Sequence, residues 1–255
     1  MLLAMDVGNS QTVVGVFEGE TLTNHWRVST EARRTSDELA LQLQGLLALA
    51  GLSLVDSIGG MVISSVVPSL AEAFRDMADR YLKFPPVIVG PGIRTGMAIR
   101  TDNPREVGAD RLVNALAAYH EYGGPGIVVD FGTGTNFDVY DSSGAFIGGA
   151  IAPGVQTSMA ALSARGAQLG TVEVATPRHA IGRSTVEAMQ SGAIYGFAGQ
   201  VDRLVETLAQ ELPQTPVVVA TGGLAHPITS VCRTIDRHDQ WLTLKGLRLV
   251  WERNS

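Results

Sequence analysis

Three features of the sequence predict an α/β fold that contains one hairpin module twice. Five short apolar runs read as strands: Leu2–Met5, Met61–Ser64, Val87–Val89, Ile127–Asp130 and Val217–Ala220. Segments with helix-start signals lie between them, and strands alternating with helices make an α/β protein. The third feature is an internal repeat. AMDVGNSQTVVGVFEGE and VVDFGTGTNFDVYDSSG each run from an apolar strand through Asp-x-Gly into a second strand, and their aspartates, Asp6 and Asp130, stand 124 residues apart.

The first copy joins Leu2–Met5 to Val13–Phe17 through a polar loop. Glycine there lets main-chain N–H groups converge on phosphate oxygens, and Asn9, Ser10 and Thr12 add donors without adding charge. Downstream, Thr35 and Glu38 have capping-box spacing, and Leu39, Leu43, Leu46, Leu47 and Ala50 form a one-face stripe ending at Gly51. Ser69 with Glu72 repeats the capping spacing after Met61–Ser64. Pro104 and Gly108 punctuate the entry to a helix that carries Leu112, Leu116 and Tyr119 inward, with Asp110 and Arg111 near its start. Acids favour helix N-termini for structural reasons. A carboxylate that orients and deprotonates an attacking hydroxyl in phosphoryl transfer is the functional reading of Asp110.

The second copy pairs Ile127–Asp130 with Phe137–Tyr140. Two ordinary tight hairpins would fit Asp-x-Gly turns as well. Two Gly-, Ser-, Thr- and Asn-rich copies, each following a buried strand, favour phosphate binding. An aspartate at the mouth of such a strand can hold a cation, directly or through water, and Mg²⁺ suits one or two carboxylates, several waters and a nucleotide's own phosphates. Ser184 with Glu187 marks a further helix that contains Gly192, Gly196 and Gly199. Each of these glycines costs about 1 kcal/mol against alanine unless close packing offsets it, so a tight helix–helix contact is expected, with a dimer interface as one place for it. Val217–Ala220 leads into Thr221-Gly222-Gly223, a loop with no side chain to bar a flat base or ribose. The P-loop pattern and a strand-to-helix G-x-G-x-x-G are both absent from the sequence.

Composition narrows the classes. With 19 Lys+Arg against 25 Asp+Glu the formal net charge is −6 and no basic run appears, which argues against nucleic acid as the ligand. Apolar residues at 45% and charged residues at 17% describe a chain able to bury a large core. Cys232 is the only cysteine, so neither an intramolecular disulfide nor a cysteine-based zinc site is expected, and a reducing cytoplasm is the compartment expected. The five histidines, His25, His120, His179, His226 and His238, lack i, i+4 pairing and read as surface or structural residues. Neither a signal peptide nor a membrane span is expected. Trp26, Trp241 and Trp251 read as core or interface aromatics.

Six segments stand in order: Asp6-x-Gly8-Asn9, Gly108-Ala109-Asp110-Arg111, Asp130-Phe131-Gly132-Thr133, Gly149-Ala150-Ile151-Ala152-Pro153-Gly154, Gly182 to Thr185, and Thr221-Gly222-Gly223. Together they make the chain resemble type III pantothenate kinase over nearly its whole length. The resemblance implies the actin-like, ribonuclease-H-like ATPase fold, with two related domains, 1–115 and 116–255, and nucleotide in the cleft between them. By resemblance, Asp6, Val7, Gly8, Asn9, Ser10, Gln11, Thr12 and Val13 form the first phosphate hairpin, and Asp6 organises Mg²⁺. Thr133, Gly222 and Gly223 complete the ATP contacts. Gly108, Ala109, Asp110, Arg111 and Thr185 hold pantothenate, with Asp110 as the base, and Asp130 binds a monovalent cation, K⁺ or NH₄⁺. The resemblance also implies a homodimer that makes 4′-phosphopantothenate, the first intermediate of coenzyme A synthesis.

Three positions depart from the family pattern. Ser10 stands where the first loop usually has Thr, and Gly134 and Asn136 stand where the second loop usually has Ala and Thr. These changes bear on nucleotide affinity more than on fold, because Gly134 adds backbone freedom and Asn136 exchanges a hydroxyl for an amide. Two alternatives use the same residues: another small-molecule kinase of this fold, and a non-catalytic paralogue that regulates or binds. Retention of Asp6, Asp110, Arg111, Asp130 and Thr133 weighs against the second.

Overall fold

Each Asp-x-Gly segment closes an antiparallel hairpin, and each hairpin becomes the centre of a five-stranded mixed sheet. The computed structural model describes residues 1–90, 92–166, 169–223 and 225–255, without the side chains of Ala225 and His226, so the reading of His226 lies outside the described residues. The first sheet holds β1 (Leu2–Val7), β2 (Gln11–Glu18), β3 (Thr21–Ser29), β4 (Gly60–Ser65) and β5 (Val87–Ile88), in the order β3-β2-β1-β4-β5. The second holds β6 (Gly126–Phe131), β7 (Gly134–Tyr140), β8 (Phe146–Pro153), β9 (Val217–Thr221) and β10 (Arg237–His238), in the order β10-β9-β6-β7-β8. In both, two antiparallel pairings are followed by two parallel ones, so β6, β7, β8, β9 and β10 repeat β1 to β5 in sequence. The chain divides into two units: Met1–Met97 with Asn103–Ala117 and Thr243–Ser255, and Ala98–Asp102 with Ala118–Leu242.

In the first unit, helices α1 (Ser36–Leu49) and α2 (Pro68–Tyr81) cover one face of the sheet. Leu39, Leu43 and Leu47 of α1 and Leu70, Phe74 and Met77 of α2 pack on Leu3, Met5, Val14, Val16, Met61 and Ile63. The alternate residues of the same strands point to the opposite face, as strand periodicity requires. Leucine and tryptophan from α7 (Leu242–Glu252) fill that face at two glycines. A Cβ on Gly15 would come within 2.7 Å of Leu244 Cδ1, and one on Gly60 would overlap the Trp251 ring. Next to α7 lies α3 (Ala109–Tyr122), preceded by a single 3-10 turn at Pro104–Glu106. Gly246 leaves no room for a side chain against Val113, and the Thr243 hydroxyl donates to Asn114 Oδ1 at 2.7 Å.

In the second unit, α4 (Val155–Arg165), α5 (Thr185–Ala209) and the short α6 (Ala225–Thr229) supply Val155, Met159, Ile194, Val201, Val205 and Ile228 to a core. Their strand partners are Ile127, Val129, Phe131, Phe137 and Val139. Among the described residues no helix is long and apolar enough to cross a membrane.

The helix starts separate local from tertiary signals. Thr35 and Glu38 form the full capping box: Glu38 N–H donates to Thr35 Oγ1, and Thr35 N–H donates back to Glu38 Oε2 at 2.8 Å. Ser184 caps α5 through Glu187 N–H, while the Glu187 carboxylate accepts from Arg183 N–H rather than from Ser184. Ser69 is a correction. Pro68 occupies the first turn with Val67 as N-cap, and the Ser69 hydroxyl donates to Ala32 O, because proline already provides the helical φ at that position. The α5 glycines narrow a second expectation to contacts outside this chain. A Cβ on Gly192, Gly196 or Gly199 would meet nothing within 4 Å, so no close packing partner exists for them within the described chain.

Candidate active site

The strand pairing places Asp6 and Asp130 at equivalent points. Asp6 ends the buried part of β1, opposite Val13 of β2 and beside Ser64 of the parallel strand β4. Asp130 ends β6, opposite Asn136 of β7 and beside Thr221 of β9. Each carboxylate is half-buried and has a buried hydroxyl residue as its parallel-strand neighbour. Ser64 Oγ is completely enclosed and, among the described residues, has no hydrogen-bond partner. Leaving a buried hydroxyl unsatisfied costs free energy, so such an atom beside a carboxylate fits a site that gains another oxygen-seeking group.

The loop of the first hairpin is tightened by a bond from Gly8 N–H to Gln11 O at 3.0 Å. Asn9, Ser10 and Gln11 are exposed, whereas Val7 belongs to the core and can offer only its main chain. The loop is braced from the residue after β3: Thr30 N–H donates to Ser10 O at 3.0 Å, and the Thr12 and Thr30 hydroxyls pair at 2.8 Å. Gln11 Oε1 accepts from Arg27 Nη1 at 2.8 Å, which leaves the Gln11 amide nitrogen as the donor end. Val13 is half-buried on the face opposite the α1–α2 core.

The second loop is one residue shorter. Gly132 N–H donates to Gly134 O at 2.9 Å, with Thr133 exposed at the tip. The Gly-Gly loop lies directly against it. Gly222 has φ +96°, and a Cβ there would stand 2.6 Å from Phe131 O and 2.7 Å from Asp130 Oδ1. Glycine is therefore required twice at this position, by conformation and by space. Gly223 is exposed beside it. Asp130, Thr133, Gly222 and Gly223 thus form one group at the carboxyl ends of β6 and β9 in the second unit.

The residues expected to hold the second substrate lie on other elements. Asp110 is the second residue of α3, where the helix dipole favours a carboxylate. A Cβ on Gly108 would come within 2.5 Å of Asp110 Oδ1, so glycine two residues earlier lets the acid fold back over the helix start. Ala109 and Arg111 flank it, both half-buried. Thr185 opens α5 in the second unit and is exposed. Gly182 lies under that first turn, where a side chain would overlap the Ala188 backbone. Cys232 supplies no nucleophile, since burial and then the Asp202 carboxylate push its thiol up to about 12. Thr30, Ser64, Gly154 and Thr157 touch or flank these loops with no role assigned to them from the sequence. For Ser64 a signal was present: a hydroxyl residue ends both parallel strands, in VISS and VVAT.

Residues 2–207 match the family model for type III pantothenate kinase. A type III pantothenate kinase of Acidothermus cellulolyticus is 55% identical over 255 residues, covering 100% of this chain and 99% of that protein. Among solved structures, a Campylobacter jejuni protein described as a conserved Baf family transcriptional activator superposes with TM-score 0.61 at 16% identity, covering 99% of this chain and 98% of the other. ROK hexokinase from Thermus thermophilus gives TM-score 0.52 at 14% identity, with 98% and 97% covered. The structural likenesses place the fold among the actin-like ATPases. With motif order, duplicated hairpins and full-length identity in agreement, the chain belongs to the type III pantothenate kinase family.

Proposed function

We propose that the chain transfers the γ-phosphoryl group of ATP to the primary hydroxyl of pantothenate, giving 4′-phosphopantothenate, the first step of coenzyme A biosynthesis. Family membership at 55% identity over the whole chain carries this reading. The duplicated Asp-x-Gly hairpins supply its chemistry: glycine-rich turns that aim N–H groups at phosphate, with neutral hydroxyl and amide donors around them. Gly8 to Gln11 and Thr133 are the contacts to the phosphates, and Gly222 and Gly223 leave room for the nucleoside. Gly108 to Arg111 and Thr185 hold pantothenate. Asp110 orients the attacking hydroxyl and accepts its proton as the oxygen closes on the γ-phosphorus, while the bond from that phosphorus to the bridging oxygen breaks and ADP leaves.

Asp6 holds Mg²⁺. Its carboxylate, at the end of β1 beside Ser64, is an oxygen donor of the kind this hard cation prefers, and the ion when bound would neutralise charge on the transferred group. Asp130 binds K⁺ or NH₄⁺ beside Thr221. Activity is therefore expected to require K⁺ or NH₄⁺ and to collapse in Na⁺ alone, and Asp130→Asn is expected to weaken that dependence. Equal turnover in the three salts would remove Asp130 from this role.

The functional unit is a cytoplasmic homodimer. The exposed α5 glycines, with Val186 and Tyr195 exposed on the same helix, support it: close approach of a second chain would offset the helix propensity lost there. Light scattering is expected to give about twice 26.9 kDa. A fully active monomer at assay concentration would contradict the dimer.

A turnover screen over pantothenate, hexoses and small hydroxy acids, with ATP, Mg²⁺ and K⁺, tests the substrate. Phosphorylation of pantothenate alone is expected. Preference for a sugar would transfer the reading to a different kinase of this fold.

A further inference from the structure

We propose that Thr157, on the first turn of α4, is a positioning residue for ATP that acts by fixing the peptide between Thr133 and Gly134. Its hydroxyl donates to Thr133 O at 2.7 Å, and Gly154 N–H donates to the same oxygen at 3.1 Å. A carbonyl has two lone pairs, and both are engaged here. Because a trans peptide points its C=O and N–H in opposite directions, holding Thr133 O toward α4 turns the Gly134 N–H away from it. The same anchor fixes the backbone that carries the exposed Thr133 side chain.

The duplication shows why a hydroxyl is needed at this place. In the first hairpin, Thr30, the residue just past β3, gives its N–H to Ser10 O and pairs its hydroxyl with that of Thr12. Gly154, just past β8, is its counterpart and gives its N–H to Thr133 O. No side chain can stand at Gly154, since a Cβ would overlap the carbonyls of Gly132 and Thr133. The second hairpin therefore takes its hydroxyl brace from one helical turn further on, at Thr157. That brace adjoins Gly134, the loop residue with the greatest backbone freedom, where an unbraced peptide could rotate.

The inference rests on the reading of Asp130 to Asn136 as an ATP-phosphate hairpin. Thr157→Val keeps the side-chain shape and removes the donor; Thr157→Ser keeps the donor. Losing one hydrogen bond at an exposed site should raise the KM for ATP about 3- to 10-fold in the valine variant. The KM for pantothenate and the melting temperature should stay at wild-type values, and serine should restore the KM for ATP to within about twofold. Thr157→Ala, which carries no β-branch into the helix, should repeat the valine result. A valine variant with wild-type KM for ATP overturns the proposal. So does a parallel rise in both KM values with a lowered melting temperature, which would mark a structural residue. ATP affinity measured by calorimetry separates this inference from the substrate assignment. Should the wild-type chain bind ATP without phosphorylating pantothenate, only the assignment fails, and the variants' dissociation constants still decide for or against Thr157. A wild-type chain that binds no ATP overturns both.

Discussion

Asp110→Asn should lower kcat by about 10²-fold or more, the lower part of the range for general-base catalysis, because a loose phosphoryl-transfer transition state asks less of the base. The substitution preserves shape and hydrogen-bonding size while removing the basic oxygen. Asp110 sits on the first turn of α3, with Gly108 beneath its carboxylate, so asparagine fits the same space. The KM for ATP should change little and the protein should stay folded. An interaction made only in the transition state lowers kcat and kcat/KM together, and this is the pattern to look for. Near-normal kcat in the variant would leave catalysis to positioning and Mg²⁺, and Asp110 would be a helix-terminal acid.

Gly222→Ala should have the next largest effect, on ATP affinity. At φ +96° an L residue is strained, and the new methyl would press on Phe131 O and the Asp130 carboxylate at 2.6 and 2.7 Å. Strain of this kind costs about 1–3 kcal/mol, or roughly 5- to 150-fold if it is expressed in binding. Gly45→Ala is the control, since Gly45 is exposed on α1, away from the loops, and a Cβ there would meet nothing within 4 Å. Pantothenate affinity should be unaffected in both. Unchanged ATP affinity in Gly222→Ala would show that the loop lies outside the nucleotide site.

What the sequence made legible was local. Asp-x-Gly turns after apolar strands located both hairpins, and the Thr35 and Ser184 caps were readable because their partners lie three residues away. The third strand of each sheet was not readable. β3, TLTNHWRVS, is an edge strand whose alternating half-buried face holds Asn24 among Leu22, Trp26 and Val28, and β8, FIGGAIAP, carries Gly148 and Gly149 at positive φ, so neither offers an unbroken apolar run. The seating of Trp251 over Gly60 joins residues 191 positions apart, and no periodicity encodes it. Of the residues proposed for the site, Asp6 and Asp130 stood out by type and spacing in the repeat, and Asp110 through the family motif. Their supports did not. Thr157 reaches a carbonyl 24 residues upstream, and Ser64 matters through a strand pairing that only the folded sheet creates.

A coupled assay of ATP consumption by the purified wild-type chain, with Mg²⁺, K⁺ and pantothenate, tests the central claim most directly when the product is weighed by mass spectrometry. The account expects ATP consumption that depends on pantothenate, with one 4′-phosphopantothenate formed per ATP consumed. Binding of ATP and pantothenate with no phosphorylated product would contradict it, and the chain would then be a binding protein on a kinase fold.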